Sequence, residues 1–118
     1  MGSNPVLDKS YQFALRVVRL HKYLADIKRE YVISKKLLDA GTEIGAQVKA
    51  AQEVGFKDDF IRRMQIAFVE AGRTEYWLQL LRDSDFIDEN EYSSINGDCE
   101  ELKKLLASIL KSAKTGRL

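Results

Sequence analysis

Apolar residues that recur at alternating intervals of four and three constrain this chain more than any other feature, and four separate segments carry them. Such spacing places a narrow apolar strip along one side of an α-helix. No proline follows Pro5, so these segments lack the residue that most disrupts a helix interior. The pattern therefore predicts four long helices. The four strips are Phe13, Val17, Leu20, Leu24 and Ile27; Leu37, Gly41, Ile44, Val48 and Ala51; Phe60, Met64, Ala67, Ala71, Thr74, Leu78 and Leu81; and Ile95, Cys99, Leu102, Leu106, Ile109 and Ala113.

The helix ends are predicted from capping residues and glycines. Asp8 is an acceptable N-cap for the first helix. The second is expected to extend back toward Tyr31 and forward to Val54, the third to open at 58–59, and the fourth to begin at 88–91. Connections of only a few residues favour antiparallel neighbours.

Four long helices joined by short connections predict an all-α protein, an antiparallel up-down four-helix bundle. A chain of 118 residues fits one domain, which we place at residues 8–115, after a disordered lead-in at 1–7. Cys99 is the single cysteine, and neither a secretory signal nor an apolar run long enough to cross a bilayer is evident. We therefore expect a cytoplasmic protein without membrane attachment.

Small residues interrupt the second helix at Gly41, Gly45 and Ala46. Two exposed glycines inside a helix cost about 1 kcal/mol each relative to alanine. Close approach of a neighbouring helix is the expected compensation, because a phosphate-binding glycine loop requires a strand before it.

The residues that support catalysis or metal binding are few. His21 is the only histidine and flanks an apolar strip, while Cys99 lies within one, so both are predicted to be structural. Glu70 and Glu75 diverge by roughly 140° around the third helix and cannot grip one metal ion together. The sequence thus predicts no enzyme, no metal and no cofactor.

Charge is segregated along the chain although the net charge is only +1. Residues 9–36 hold eight basic and two acidic side chains, whereas residues 83–101 hold eight acidic and no basic ones. A basic run of this kind is either a solvated helix face or a surface that contacts phosphates without reading bases. The predicted nucleic-acid-binding residues are Arg16, Arg19, Lys22, Lys35 and Lys36.

Several aromatic residues fall beside the narrow strips. They either widen the core of the bundle or form a second interface, and that many off-strip aromatics on a small bundle favour self-association. These residues are Tyr11, Tyr23, Tyr31, Phe68, Tyr76 and Trp77.

Three segments resemble one known family. Residues 40–48 (AGTEIGAQV), 67–78 (AFVEAGRTEYWL) and 100–109 (EELKKLLASI) are similar to the four-helix bundle proteins encoded in intervening sequences of bacterial large-subunit ribosomal RNA genes. The resemblance implies ring-shaped homopentamers. The similar accessory proteins of diversity-generating retroelements bind nucleic acid through basic surfaces. In such a ring, the basic first helix of one subunit is expected near the acidic 83–101 region of the next.

The sequence therefore predicts a self-assembling, non-enzymatic bundle that binds structured RNA or DNA through a basic helix face. The alternative is a structural or protein-interaction oligomer whose basic residues are used in subunit contacts. An enzyme is the weakest of the three hypotheses.

Overall fold

The computed structural model describes residues 4–116, which fold into four α-helices without a β-strand in that range. The bundle measures 46 × 25 × 21 Å. The all-α, four-helix prediction is confirmed. The helices are α1 (Pro5–Asp26), α2 (Ile33–Ala51), α3 (Lys57–Asp83) and α4 (Glu89–Lys114).

The helix directions follow from contacts that run in opposite order along each neighbouring pair. On α1 and α2, Ser10 lies beside Gly45 while Val17 lies beside Gly41. On α1 and α4, Lys9 contacts Glu101 while Arg16, later on α1, contacts Ser94, which is earlier on α4. Every helix packs against the next along the chain, and α1 packs against α4 to close the bundle. This is the antiparallel up-down arrangement expected from short connections.

The first helix begins earlier than predicted. The side chain of Asn4 accepts a hydrogen bond from the backbone N–H of Leu7 at 3.3 Å, and Pro5 occupies the first helical position, where its fixed φ suits a helix. Val6 is buried in the core. The lead-in predicted at 1–7 is therefore wrong for residues 5–7, and residues 1–3 lie outside the described range.

The connection between α1 and α2 is shaped by a buried carboxylate. Glu30 accepts hydrogen bonds from the backbone N–H groups of residues 32–34 at 3.1, 3.0 and 2.7 Å. These are donors that the first turn of a helix cannot satisfy internally, so α2 begins at Ile33 and not near Tyr31. The predicted burial of Ile27 is wrong, because α1 has ended and this side chain is 66% exposed.

The second helix also ends before its predicted limit at Val54. The N–H groups of Gln52 and Glu53 bond to carbonyls three residues back, at 3.1 and 3.0 Å, and such tight bonds close a final turn after Ala51.

The predicted strips form the core. Besides Ile27, only Phe60 and Ile109 are not fully buried, and both still pack against the core. On α4, Leu110 is buried where Ile109 was expected, which moves the apolar strip by one residue near its end.

The glycines of α2 permit a close approach of α1. A Cβ added at Gly41 would lie 2.8 and 2.9 Å from the γ-methyl carbons of Val17, and one at Gly45 would lie 3.3 Å from the carbonyl oxygen of Ser10. The prediction of close packing at these glycines is confirmed. Ala46, predicted to share this role, is exposed.

None of the four helices, over the residues described, is long and apolar enough to cross a membrane.

Candidate nucleic-acid interface

Arg16 contacts α4 and does not stand free on α1. Its guanidinium donates hydrogen bonds to Asp98 and Ser94, both at 2.8 Å, and lies 3.6 Å from the carboxylate of Glu91. Lys9, two turns earlier, pairs with Glu101 at 3.0 Å. The contact between basic first helix and acidic 83–101 region, predicted to join two subunits, is thus made within one chain. The contact between subunits stays a prediction, because pairing within one chain does not test how two chains meet.

The two predicted residues of α2 are also engaged locally. Lys35 pairs with Asp39 one turn later at 3.0 Å. The ammonium group of Lys36 lies 5.5 Å from the ring centre of Trp77, which places Lys36 on the side of α2 that packs against α3. The five predicted residues therefore do not form one continuous strip.

Four exposed basic side chains cluster where α1 meets the following connection, and we call them the basic end surface: Arg19, Lys22, Lys28 and Arg29. None of the four forms an ion pair with any residue between 4 and 116. Since these charges are not neutralised by described neighbours, they are available to attract an anionic partner. Two of the predicted residues, Arg19 and Lys22, belong to this surface.

Lys28 and Arg29 belong to the basic run at residues 9–36 but are not among the five predicted nucleic-acid-binding residues. Both follow the last helical residue, so helical periodicity says nothing about where they point. Arg29 has φ of +56°, the left-handed conformation. The sequence feature that could have assigned them to this surface is their position shortly after Asp26, the last residue of the helix that carries Arg19 and Lys22.

Two tyrosines border the basic end surface. Tyr23 is 44% exposed, and Tyr31 is 55% exposed with its hydroxyl 3.5 Å from the guanidinium of Arg29. Exposed aromatic rings beside cations are the arrangement on which single-stranded or unpaired bases stack.

A cleft of about 680 Å³ lies between this end of α1 and the connection before α4. One wall is basic, with Arg16, Arg19 and Lys28, and the other is acidic, with Asp85, Asp88 and Glu91. The acidic wall repels phosphate, so an anionic backbone is confined to the α1 side of the cleft.

The outer face of α3 carries a second strip, mostly apolar but interrupted by one arginine, opposite the apolar strip that faces the core. Its members recur at four and three, and we call it the α3 outer strip: Ile66, Val69, Arg73, Tyr76 and Leu80. Val69 and Tyr76 are more than half exposed, whereas Ile66 and Leu80 are half-buried. Of the off-strip aromatics on α3, Phe68 and Trp77 pack against the core.

Cys99 and His21, the two residues considered for chemistry, are both at least partly buried. The thiol of Cys99 is buried and donates to the carbonyl oxygen of Ala71 at 3.3 Å. Burial raises the pKa of this thiol to about 12, and the nearby charge of Glu75 adds to the rise. His21 is half-buried on α1. Between residues 4 and 116 no group of three or more His, Cys, Asp or Glu side chains is placed to hold a metal ion.

Comparison with known proteins identifies relatives of the whole bundle. The model of the family described as 23S rRNA-intervening sequence protein matches residues 3–108. A crystal structure of a protein of unknown function, from the S23 ribosomal protein family of Bacteroides thetaiotaomicron VPI-5482, is 46% identical and superposes with a TM-score of 0.91. The match covers 92% of this chain and 96% of that one. No curated protein matches the chain.

Proposed function

The chain belongs to the 23S rRNA-intervening sequence protein family, and from that premise we propose that it is a self-assembling, non-enzymatic bundle that binds the phosphate backbone of structured RNA or DNA. The observation that carries the proposal is the basic end surface, where four cations lie exposed without an ion-pair partner among the described residues. We assign the contact to Arg19, Lys22, Lys28 and Arg29.

The expected mode of binding is electrostatic, with little dependence on base sequence. Phosphate contacts from lysine and arginine release counterions and supply affinity, but they carry no sequence information. Tyr23 and Tyr31 add stacking where bases are unpaired, so a loop or bulge is expected to bind better than a perfect duplex.

Self-assembly is assigned to the α3 outer strip. A helix that is apolar on two opposite sides needs a second partner, because exposed contiguous apolar surfaces mark sites of protein association. Arg73 stands in the middle of the strip and pairs with Glu70 at 3.4 Å, which reduces the cost of covering it. The family resemblance favours a pentamer.

A second candidate function is assembly without nucleic acid. The α3 outer strip favours it, since that feature requires only a second copy of the chain and no anionic ligand. The two hypotheses differ in what the basic end surface does in the assembled state.

Binding is tested by fluorescence anisotropy of a labelled RNA hairpin, titrated with protein across a range of salt. We expect glutamine substitution of the basic end surface (Arg19→Gln, Lys22→Gln, Lys28→Gln, Arg29→Gln) to weaken binding strongly. It should also reduce the slope of log K against log salt by about one for each phosphate that the variant no longer neutralises.

The matched control removes four other exposed lysines that form no ion pair with a described residue, with the same change in net charge: Lys57→Gln, Lys104→Gln, Lys111→Gln and Lys114→Gln. This control should retain most of the affinity. Equal weakening in both variants, or no binding by the wild type at low salt, would contradict the assignment.

Assembly is tested by sedimentation velocity over the micromolar range. The variant Val69→Glu, Tyr76→Glu should dissociate to monomers with unchanged helicity, whereas Ala46→Glu, an exposed change on α2, should not. A monomeric wild type would overturn self-assembly and the pentamer, but it would leave the nucleic-acid proposal open to its own test.

A further inference from the structure

The edge of the bundle where α1 meets α4 is crossed by ion pairs and bordered by two clefts. The larger cleft, of about 680 Å³, lies at the end that carries Lys28. The smaller, of about 300 Å³, is lined by Lys9, Gln12, Asp98 and Glu101 among others. Open space of this kind shows that side chains along this edge are accessible from solvent, although they are partly paired.

On the α1 side, this edge is a stripe of polar and basic residues. Lys9, Gln12, Arg16, Arg19 and Tyr23 recur at intervals of three and four, which places them in one line along the helix. With a rise of 1.5 Å per residue, the stripe spans about 21 Å. It meets the basic end surface at Arg19, so the two form one continuous basic region.

On the α4 side, three carboxylates pair with two of the three cationic groups of that stripe, and Arg19 stays unpaired among the described residues. Glu91 and Asp98 hold Arg16 at 3.6 and 2.8 Å, and Glu101 holds Lys9 at 3.0 Å. The carboxylates remain about half exposed, with side-chain exposures of 45%, 52% and 63%. Ion pairs exposed to this degree contribute little stability and are screened by salt.

We propose that the acidic face of α4, formed by Glu91, Asp98 and Glu101, is an intramolecular competitor of the nucleic-acid backbone that masks Arg16 and Lys9. The inference deepens the proposed function and rests on it. Carboxylates at hydrogen-bond distance from a guanidinium occupy the donors that a phosphate would use. The free protein therefore presents only its basic end surface, and the stripe on α1 becomes available when the carboxylates are displaced or neutralised.

Masking affects selectivity as well as affinity. A short or flexible anion gains too little from Arg16 to displace two carboxylates. A rigid RNA helix, already held at the basic end surface, brings its next phosphates along the stripe at high local concentration. The acidic face thus favours extended, structured nucleic acid over short oligonucleotides.

The experiment compares the variant Glu91→Gln, Asp98→Asn with the wild type, using the same labelled RNA hairpin across salt. If Arg16 is released to contact phosphate, the variant should bind about fivefold more tightly near 0.1 M salt, and its salt slope should be steeper by about one. Adding Arg16→Ala to the variant should cancel the gain, while Arg16→Ala in the wild type should change binding little.

The matched control is Asp39→Asn, Glu53→Gln, which removes one Asp and one Glu that form exposed ion pairs with lysines of α2. The net charge changes equally, so any general electrostatic gain appears in both variants. Thermal unfolding followed by circular dichroism verifies that each variant is folded.

The outcomes separate the two proposals. If the α4 variant gains no more than the α2 control, the masking inference is overturned while the basic end surface stands. If glutamine substitution of the basic end surface leaves wild-type binding intact, the proposed site fails, whatever the α4 variant does. If neither the wild type nor the α4 variant binds at low salt, both proposals fall.

Discussion

The contact between Gly41 and Val17 allows the packing of α1 on α2 to be tested by adding one methyl group. In the substitution Gly41→Ala, the new Cβ would lie 2.8 and 2.9 Å from the γ-methyl carbons of Val17 and 3.2 Å from its Cβ. Favourable carbon contacts lie near 3.5–4.0 Å, so the helices must separate by roughly half an ångström or more. Val17 cannot turn away, because a β-branched residue in a helix is held in one rotamer and its Cβ is itself too close.

Two opposing effects decide the magnitude. Alanine improves helix propensity by about 1 kcal/mol over glycine, whereas overpacking a dense core costs about 1–3 kcal/mol. Three short contacts with a fully buried, stiff side chain place Gly41→Ala in the upper part of that range, so we expect a net destabilisation of about 1–2 kcal/mol. Gly97→Ala is the control, because it is exposed on α4 with nothing within 4 Å of the added Cβ. It should gain up to about 1 kcal/mol.

Urea denaturation followed by circular dichroism at 222 nm measures both variants, at several protein concentrations so that any assembly is accounted for. Val17→Ala should be destabilising alone but should rescue part of the destabilisation in Gly41→Ala, which gives a favourable coupling in the double-mutant cycle. If Gly41→Ala is as stable as Gly97→Ala, or if Val17→Ala and Gly41→Ala are additive, the close approach does not limit the packing of these helices.

Three further changes test other parts of the bundle. Glu75→Ala removes the carboxylate that pairs with Lys103 at 2.9 Å between α3 and α4, and urea denaturation should show a destabilisation of about 1–3 kcal/mol. Glu101→Ala, which breaks a more exposed pair, should cost under about 1 kcal/mol. Equal destabilisation by the two substitutions would contradict this ranking. Glu30→Ala removes the acceptor for three backbone N–H groups and should cost about 1–2 kcal/mol, and an unchanged urea midpoint would refute its capping role. Burial raises the pKa of Cys99 from 9.0 to about 12, so its thiolate population at pH 8 is about a thousandfold below that of an ordinary thiol. Labelling of Cys99 by Ellman's reagent should therefore proceed only at the rate of unfolding. Rapid labelling of the native protein would contradict this prediction.

The fold was predictable because its information is local and repetitive. Residues such as Met64, Ala71 and Leu78 return to one side of a helix every seven positions, and burial of that side follows from hydrophobicity alone. The errors lie at helix ends, where single hydrogen bonds decide. Asn4 starts α1 within the segment expected to be disordered, and Glu30 fixes the start of α2 by capping donors two to four residues ahead.

The candidate site was less predictable because charge pairing depends on which helices become neighbours. Spacing groups Arg19 and Lys22 on α1, where both are exposed and unpaired among the described residues, but it also includes Arg16, whose partner Asp98 is 82 positions away along the chain. Lys36 was grouped with these residues by charge, yet its contact with Trp77 places it on the side facing α3. Periodicity describes one helix at a time and contains no information about the acidic helix beside it.

The segregation of charge along the sequence is accounted for largely within the monomer. In an up-down bundle the first and last helices are neighbours, so a basic α1 and an acidic α4 attract each other across the closing edge. Pairing engages Lys9 and Arg16 in the first half of α1, but it does not reach Lys22, Lys28 and Arg29, which lie on the outside of α1 or beyond its end. The same sequence pattern that closes the bundle therefore leaves unpaired positive charge at this end of α1, where it is available to an anionic partner.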